Sequence, residues 1–462
     1  MIKLLIISLL WIFLMPLSVS SQTTPTKPNI IFILTDDMGY EDLGCYGNPF
    51  NETPNIDSLA KRGLRFTQAY SASPVCSPSR ASLLTGKNPA RLRLTNFQGG
   101  ERKDSASNVN PPSNWVRSLP SGEVTIAEKL KENGYATGMI GKWHVGGGKG
   151  EAPWDQGFEF ARMIGKNDLD YYNYGIFEDS NKKLFKDDGK VYLTDKLTDY
   201  ALEFINNEGN KNPFFLYLAY SAPHVLTVPR ADKLAKYLWK YEKFGGKYNP
   251  NYAAMIESVD DGVGLIMKTL KERGLLENTI VIFTSDNGGL AIPELGPQPT
   301  MMPNLKKWKG FVYEGGIRIP MIVNWKGKVL ENKILDNQIV NTDYYNTFLE
   351  MIGQKSIESL DSKSFLSVLN NTSTNKERSE IIWHYPHFSN QTSRPAGAIR
   401  QGDWKLTKSY ETQKCELYNI KNDEAETTDL SKKNKAKTKE LNLLLMKKLS
   451  EMNALMPVLK VK

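Results

Sequence analysis

The 462-residue chain is poor in cysteine, with three, Cys45, Cys76 and Cys415, and poor in histidine, with four. Three thiols close at most one disulfide, which excludes a disulfide-stapled scaffold, and their spacing matches no zinc module. No HExxH pair is present either, so helix-borne zinc chemistry lacks its ligands. Beyond the amino terminus no apolar run approaches the roughly 20 residues that a membrane-spanning helix needs, and no internal repeat recurs. What remains is 40% hydrophobic, 24% charged and 10% aromatic, the composition of a folded globular chain and not of a disordered, collagen-like or coiled-coil one. Lys and Arg number 59 against 51 for Asp and Glu, a net charge of +8. That excess suits a polyanionic ligand and leaves nucleic acid, sulfated glycan and anionic membrane open.

The first residues choose among these. Lys3 precedes an apolar run from Leu4 to about Leu17, and the small residues Ser18-Val19-Ser20 follow. This is the pattern of a secretory signal peptide over 1–21, too short for a comfortable membrane anchor. The expectation is an exported protein, periplasmic or secreted, with no membrane span after cleavage and no nucleic-acid partner.

After a polar linker, short apolar runs alternate with amphipathic stretches, as in a parallel sheet covered by helices. The strands expected are Asn29 to Thr35, Ala136 to Ile140, Phe214 to Tyr220 and Thr279 to Thr284. Each ends in polar or ionisable residues: Asp36-Asp37, Lys142-Trp143-His144, His224, and Asp286-Asn287. In open α/β sheets ligands bind beyond the carboxyl ends of the strands, so these endings are expected to converge. Residues 95–122, rich in Asn, Ser, Pro and Gly, read as a long surface loop that shapes the pocket. A polar break between Leu369 and Arg378 divides a large domain, 28–375, from a smaller one, 376–462. The latter closes with Leu441, Leu444, Leu445, Leu449 and Met452 at the spacing of a docking helix.

The sharpest local signal is Cys76-Ser77-Pro78-Ser79-Arg80, followed by Thr85-Gly86. Ser77 can cap a helix that Pro78 starts and Gly86 ends, placing Cys76 just ahead of it. Helix amino termini with a nearby arginine favour low-pKa, reactive thiols, although a buried structural cysteine fits the same residues. Asp36, Asp37, Asp286 and Asn287 offer hard oxygen ligands suited to Ca²⁺ or Mg²⁺. Lys142 and His144, two apart on an extended segment, face one side.

Taken together, Cys76-Ser-Pro-Ser-Arg80 with Ala81 to Gly86, Asp36-Asp37, Gly141-Lys142-Trp143-His144, Ala222-Pro223-His224, Ser285 to Gly288, Lys309-Gly310 and Glu314 to Pro320 resemble the type I sulfatases of the alkaline-phosphatase superfamily. The resemblance runs in the family's order over nearly the whole mature chain. It implies an α/β/α sandwich of alkaline-phosphatase type followed by a smaller α+β domain with an antiparallel sheet. It also implies that a formylglycine-generating maturation enzyme oxidises Cys76 to formylglycine (3-oxoalanine), with Asp36, Asp37, Asp286 and Asn287 as Ca²⁺ ligands and modified Cys76 near the metal. Arg80 and Lys142 would then hold the hydrated aldehyde, and Lys142 and Lys309 would contact sulfate. His224 would protonate the leaving oxygen, and His144 would support the second step. In that chemistry one hydroxyl of the hydrate attacks sulfur, and the other then expels sulfate.

The segment from Trp383 to Phe388, with Arg394 and Ala398 to Lys405, resembles a stretch of sulfatases acting on carbohydrates. His384, His387 and Arg394 are expected in a polar loop context, contacting the sugar. The reading is hydrolysis of sulfate esters on oligosaccharides of a sulfated polysaccharide such as ulvan, carrageenan, porphyran or a glycosaminoglycan. A phosphate or phosphonate ester hydrolase of the same superfamily, and a non-catalytic binder of sulfated glycans, stay open beside it.

Overall fold

The computed structural model describes residues 27–165, 170–179, 183–186, 189–209, 211–292, 298–370 and 378–460. The expected signal peptide lies outside the described residues, as does most of the expected domain break, 371–377. Ten strands form the central sheet: β1 (Asn29–Thr35), β2 (Leu64–Phe66), β3 (Ala136–Gly141), β4 (Phe160–Ile164), β5 (Gly175–Glu178), β6 (Lys183–Lys186), β7 (Phe214–Ala219), β8 (Thr279–Ser285), β9 (Met321–Trp325) and β10 (Lys333–Leu335). Their spatial order is β10-β2-β9-β8-β1-β7-β3-β4-β5-β6.

All seven residues of β1 are buried, because a strand apolar on both faces must lie between two layers. Ile30, Phe32 and Leu34 join one core with Ala81, Leu84, Ile126 and Phe348, while Ile31 and Ile33 join the opposite core with Leu197, Ile205, Val259 and Val263. Each such buried aliphatic or aromatic side chain contributes about 1.5–3 kcal/mol by transfer from water. The result is the expected α/β/α sandwich. The sheet is continuously parallel through its middle, from β8 through β1, β7 and β3 to β4, and β10 pairs parallel with β2 at one edge. Beyond it β9 runs antiparallel to β8, and β5 and β6 extend the other edge as antiparallel hairpins. Antiparallel neighbours need no crossover helix, so these edges lack the helical spacing by which the middle announces itself.

Strands β11 (Ile381–Tyr385), β12 (Ala396–Gln401), β13 (Trp404–Ser409) and β14 (Cys415–Asn419) form a four-stranded antiparallel sheet. Its two faces alternate cleanly. Ile382, Ile399, Leu406 and Leu417 pack against Leu441, Leu445 and Leu449 of the helix Lys435–Glu451, the expected docking helix. Trp383, Tyr385 and Ala398 point the other way and share a core with Tyr70, Val75, Val312 and Ile317 of the large domain. Residues 95–122 depart from a simple surface loop: Trp115 and Leu119 are buried, and Val109–Asn110 pairs with Val458–Leu459. Among the described residues no helix is long and apolar enough to cross a membrane.

Candidate active site

The helix Cys76–Thr85 is buried along all ten residues. It starts two residues earlier than the sequence suggests, with Val75 at the cap and Cys76 as its first residue, and among the described residues no side chain caps it. Gly86 closes it in the left-handed region, at φ 69°, where a Cβ would also come within 2.9 Å of Tyr345. This burial aims Cys76 and Arg80 at the carboxyl ends of β1 and β8.

Because β1 and β8 are in register from Asn29 with Thr279 to Thr35 with Ser285, the residues that follow them are forced together. Asp286 Oδ1 accepts from the Asp37 N–H at 3.2 Å, and Asn287 Nδ2 donates to Asp37 Oδ1 at 2.8 Å. Asp37 itself has φ 64°, an uncommon conformation for a non-glycine residue and one that tends to mark a function-bearing turn. The cations arrive from other elements. Arg80 reaches Asp286 Oδ2 at 2.8 Å and Asp36 Oδ2 at 3.5 Å, and donates to the Lys142 carbonyl at 2.6 Å. Lys142, after β3, lies 2.5 Å from Asp36 Oδ2, and Lys309 lies 2.6 Å from Asp37 Oδ2. His224, after β7, sits with Nε2 3.5 Å from the same Asp37 oxygen and Nδ1 2.6 Å from the Val225 carbonyl.

Burial and charge compete here. Burial pushes the Asp36 carboxyl up, but Lys142, His224, Arg80 and Lys309 together hold it well below its usual value. Asp286 is pushed up to about 7 by burial and by Asp36, against Arg80. Burial would discharge Lys309, yet Asp37 holds its ammonium above the ordinary range. Burial, then Lys142, holds His144 and His224 below the usual imidazole range. Cys76 corrects an expectation: burial pushes its thiol up to about 11, although Lys309 and Lys142 pull the other way. The helix amino terminus does not make it a reactive thiolate.

The oxygens of this cluster fit a hard divalent cation. Asp36 Oδ1 and Asn287 Oδ1 are buried and accept no hydrogen bond among the described residues. Ligand atoms of Asp36, Cys76 and Asp286 lie within 4.8 Å of one another, as do those of Asp36, Asp37 and His224. Buried acceptors without donors are costly unless something else satisfies them, and carboxylate and amide oxygens suit Ca²⁺ or Mg²⁺.

The Sulfatase family model matches residues 28–354, seventy per cent of the chain and all of these strand ends. The chain belongs to the sulfatase family. This sulfatase matches a second model, the carboxyl-terminal part of N-sulphoglucosamine sulphohydrolase, over residues 307–454. A sulfatase of Formosa agariphila is 32% identical, over 96% of this chain and 92% of its own. Human N-acetylgalactosamine-6-sulfatase is 33% identical over 71% of this chain and 63% of its own. The crystal structure of Ps i-CgsB superposes with a TM-score of 0.78 at 31% identity, covering 92% of this chain and 93% of that one. The enzyme class is therefore that of a sulfatase.

Of the residues singled out from the sequence, Asp36, Asp37, Cys76, Arg80, Lys142, His224, Asp286, Asn287 and Lys309 come together. His144 stands beside them at φ 61°, its buried Nδ1 without a hydrogen-bond partner among the described residues and its ring against Phe97 of the long loop. His384, His387 and Arg394 have their contacts elsewhere. His384 is on β11 and not in a loop, with Nδ1 2.7 Å from the Tyr410 hydroxyl and Nε2 3.0 Å from the Leu455 carbonyl. His387 is buried against Trp115 and Tyr385, 2.8 Å from Thr95 Oγ1. Arg394 pairs with Glu411 and Asp104. Sequence reasoning missed the supports of the site. Asn341 donates to the Ser79 carbonyl at 2.9 Å, and Ser79 Oγ donates to the Asp286 carbonyl. The Tyr252 hydroxyl lies 3.1 Å from the Asp37 carbonyl and 2.6 Å from Asp42 Oδ2. Isolated polar residues of this kind leave no pattern in a sequence.

Proposed function

We propose that this enzyme is an exported carbohydrate sulfatase, removing sulfate from oligosaccharides of a sulfated polysaccharide, with 28–375 as its catalytic domain and 376–462 as a companion. The observation that carries the reading is the meeting of Cys76 with three cations, Arg80, Lys142 and Lys309, and three carboxylates in one buried centre. Ca²⁺ held by Asp36, Asp37, Asp286 and Asn287 would supply charge stabilisation for the sulfate oxygens. Cys76, matured to formylglycine by a separate enzyme, would supply the nucleophilic oxygen that a thiol pushed up to about 11 does not.

The chain's own residues do the rest. Lys142 and Lys309 bring fixed positive charge to a dry site, where it stabilises charge developing on sulfate oxygens far better than in water. Arg80 holds Asp36 and Asp286 in place and, through the Lys142 carbonyl, holds the turn that carries Lys142 and His144. Nδ1 of His224 is committed to the Val225 carbonyl, so a proton passes to the leaving oxygen through Nε2. The carbohydrate reading draws support from N-acetylgalactosamine-6-sulfatase among the relatives and from a related structure in complex with k-i-k-neocarrahexaose, at a TM-score of 0.77 and 31% identity. Export rests on the amino-terminal pattern.

The test is inorganic sulfate released from a panel of sulfated oligosaccharides, with phosphate and phosphonate esters alongside. The protein carries Cys76 shown by peptide mass to be converted, and Cys76→Ala is the control. Sulfate release by the converted protein alone is expected. Release of phosphate in place of sulfate, or equal release by Cys76→Ala, overturns the reading.

A further inference from the structure

A cleft of about 390 Å³ opens where the Lys309 segment meets the four-stranded sheet. Gly310, next in sequence to Lys309, and Tyr385 are among its lining. Lys309 is the residue whose ammonium lies 2.6 Å from Asp37 Oδ2, so the cleft adjoins the buried charge cluster. The loop from Ser389 to Ser393 lies against Gly310 so closely that a Cβ there would meet Gln391 Cβ and Ser389 Oγ at 3.0 Å. Ser393 Oγ, on this loop and lining the cleft, is buried and has no hydrogen-bond partner among the described residues.

The lining combines flat apolar side chains with cations. Phe311, Tyr313 and Pro395 supply flat apolar surface, which suits the C–H faces of a sugar ring. Four cations, Lys307, Arg394, Lys408 and Lys414, face one carboxylate, Glu416. Arg394 is paired with Glu411 and Asp104, and Lys414 with Glu416 at 3.0 Å. Lys307 and Lys408 have no ion-pair partner among the described residues. Lys307 is exposed, its ammonium 5.3 Å from the Trp308 ring centroid and 5.1 Å from that of Phe311.

We propose that this cleft is a subsite for a second negatively charged sugar unit, sulfated or carboxylated, of the chain whose neighbouring unit is desulfated at Cys76. The proposal rests on the carbohydrate-sulfatase reading and narrows it: the substrate is an oligosaccharide with charges on adjacent units, not an isolated sulfated monosaccharide. Unmatched cations at a partly apolar cleft favour an anion carried on a ring, and the free Ser393 hydroxyl offers it a hydrogen bond.

Calorimetry with hexasaccharides of κ-carrageenan, chondroitin 6-sulfate and heparin, on the full chain carrying Cys76→Ala so that nothing is turned over, tests the subsite. At least one hexasaccharide is expected to bind, and Lys307→Glu and Lys414→Glu are each expected to raise its Kd by about tenfold or more, while the unfolding midpoint stays within about 2 °C of the parent. Equal Kd values in parent and reversed variants, or no binding of any of the three, overturns the subsite. Sulfate release by the converted parent is measured separately. If it fails while the charge reversals still weaken binding, the sulfatase reading falls and the anionic-glycan cleft stands.

Discussion

Glu426 lies fully buried between the two domains, its Oε1 3.0 Å from Lys405 Nζ and its Oε2 accepting from the Glu314 N–H at 2.7 Å. Lys405, equally buried, also holds Glu314 at 2.8 Å, so one ammonium serves two carboxylates. Arg400 and Arg318 stand on the far side of Glu314, with Tyr70 between them. Burial pushes the Glu426 carboxyl up from 4.5 to about 7, Lys405 opposes it, and Glu314 adds to it. Below pH 4.5 the folded and unfolded chains both hold this proton, and the group has no effect on stability. Between 4.5 and about 7 only the folded chain holds it, so stability falls as pH rises, and the loss levels off above about 7. A shift of this size is worth on the order of 3 kcal/mol at 1.36 kcal/mol per unit. Glu426→Gln keeps the acceptor for Glu314, leaves Lys405 its ion pair with Glu314 and removes the ionisation. For a chain of this length a gain on the order of 3 kcal/mol moves the melting midpoint by on the order of 3 °C. Differential scanning calorimetry at pH 5, 6, 7 and 8 is expected to show the variant level with the parent at pH 5 and more stable by that amount at pH 8. A difference that is constant across the series, or one that shrinks with pH, refutes the reasoning.

Two further outcomes follow from the site. His224→Ala removes the Nε2 that, in the proposed mechanism, hands a proton to the leaving oxygen, and kcat on the substrate found by the panel is expected to fall by roughly 10² to 10⁴; full activity removes His224 from that role. Chelation with EGTA, followed by dialysis, is expected to abolish sulfate release and lower the melting midpoint, because three buried carboxyl groups and Asn287 Oδ1 would lose the cation proposed to satisfy them. Added Ca²⁺ restores both, and an unchanged midpoint with unchanged activity excludes a metal at this cluster.

Four of the ten strands of the central sheet, β1, β3, β7 and β8, were legible because their carboxyl ends bear chemistry. Asn29–Thr35 is read to the residue, and Thr279–Ser285 to within one, since an apolar run bounded by charge needs no partner to be recognised. The carboxyl-terminal helix was legible from leucine spacing, and Leu441, Leu445 and Leu449 are its buried stripe. What the sequence hid lies where meaning depends on a distant residue. His384 reads as a polar group beside Ser and Asn, but strand alternation turns it inward, to Tyr410 and Leu455. The low-pKa reading of Cys76 follows from local helix geometry, and it fails because burial outweighs the nearby lysines. Asp42, Tyr252 and Asn341 support the site across 210 or more residues of chain, a separation at which no local pattern operates.

The buried Lys405–Glu314 pair has a bearing on how sulfatases of this build can be altered. Glu314 begins the short turn whose glycines hold the Lys309 segment: the Gly315 N–H donates to the Lys306 carbonyl, and the Gly288 N–H, next to Asn287, donates to the Gly316 carbonyl. A side chain of the small domain thus pins the backbone that follows Lys309 and that holds, through Gly288, the turn bearing Asn287, the proposed sulfate-binding lysine and metal ligand. Exchanging the small domain for that of a relative would take Lys405 from Glu314 and leave it the Tyr70 hydroxyl and Arg318, and breaking a buried ion pair costs about 3–5 kcal/mol. The unit of exchange is accordingly the small domain together with residues 306–318, and on the proposed function sugar choice and sulfate chemistry are inherited as one piece.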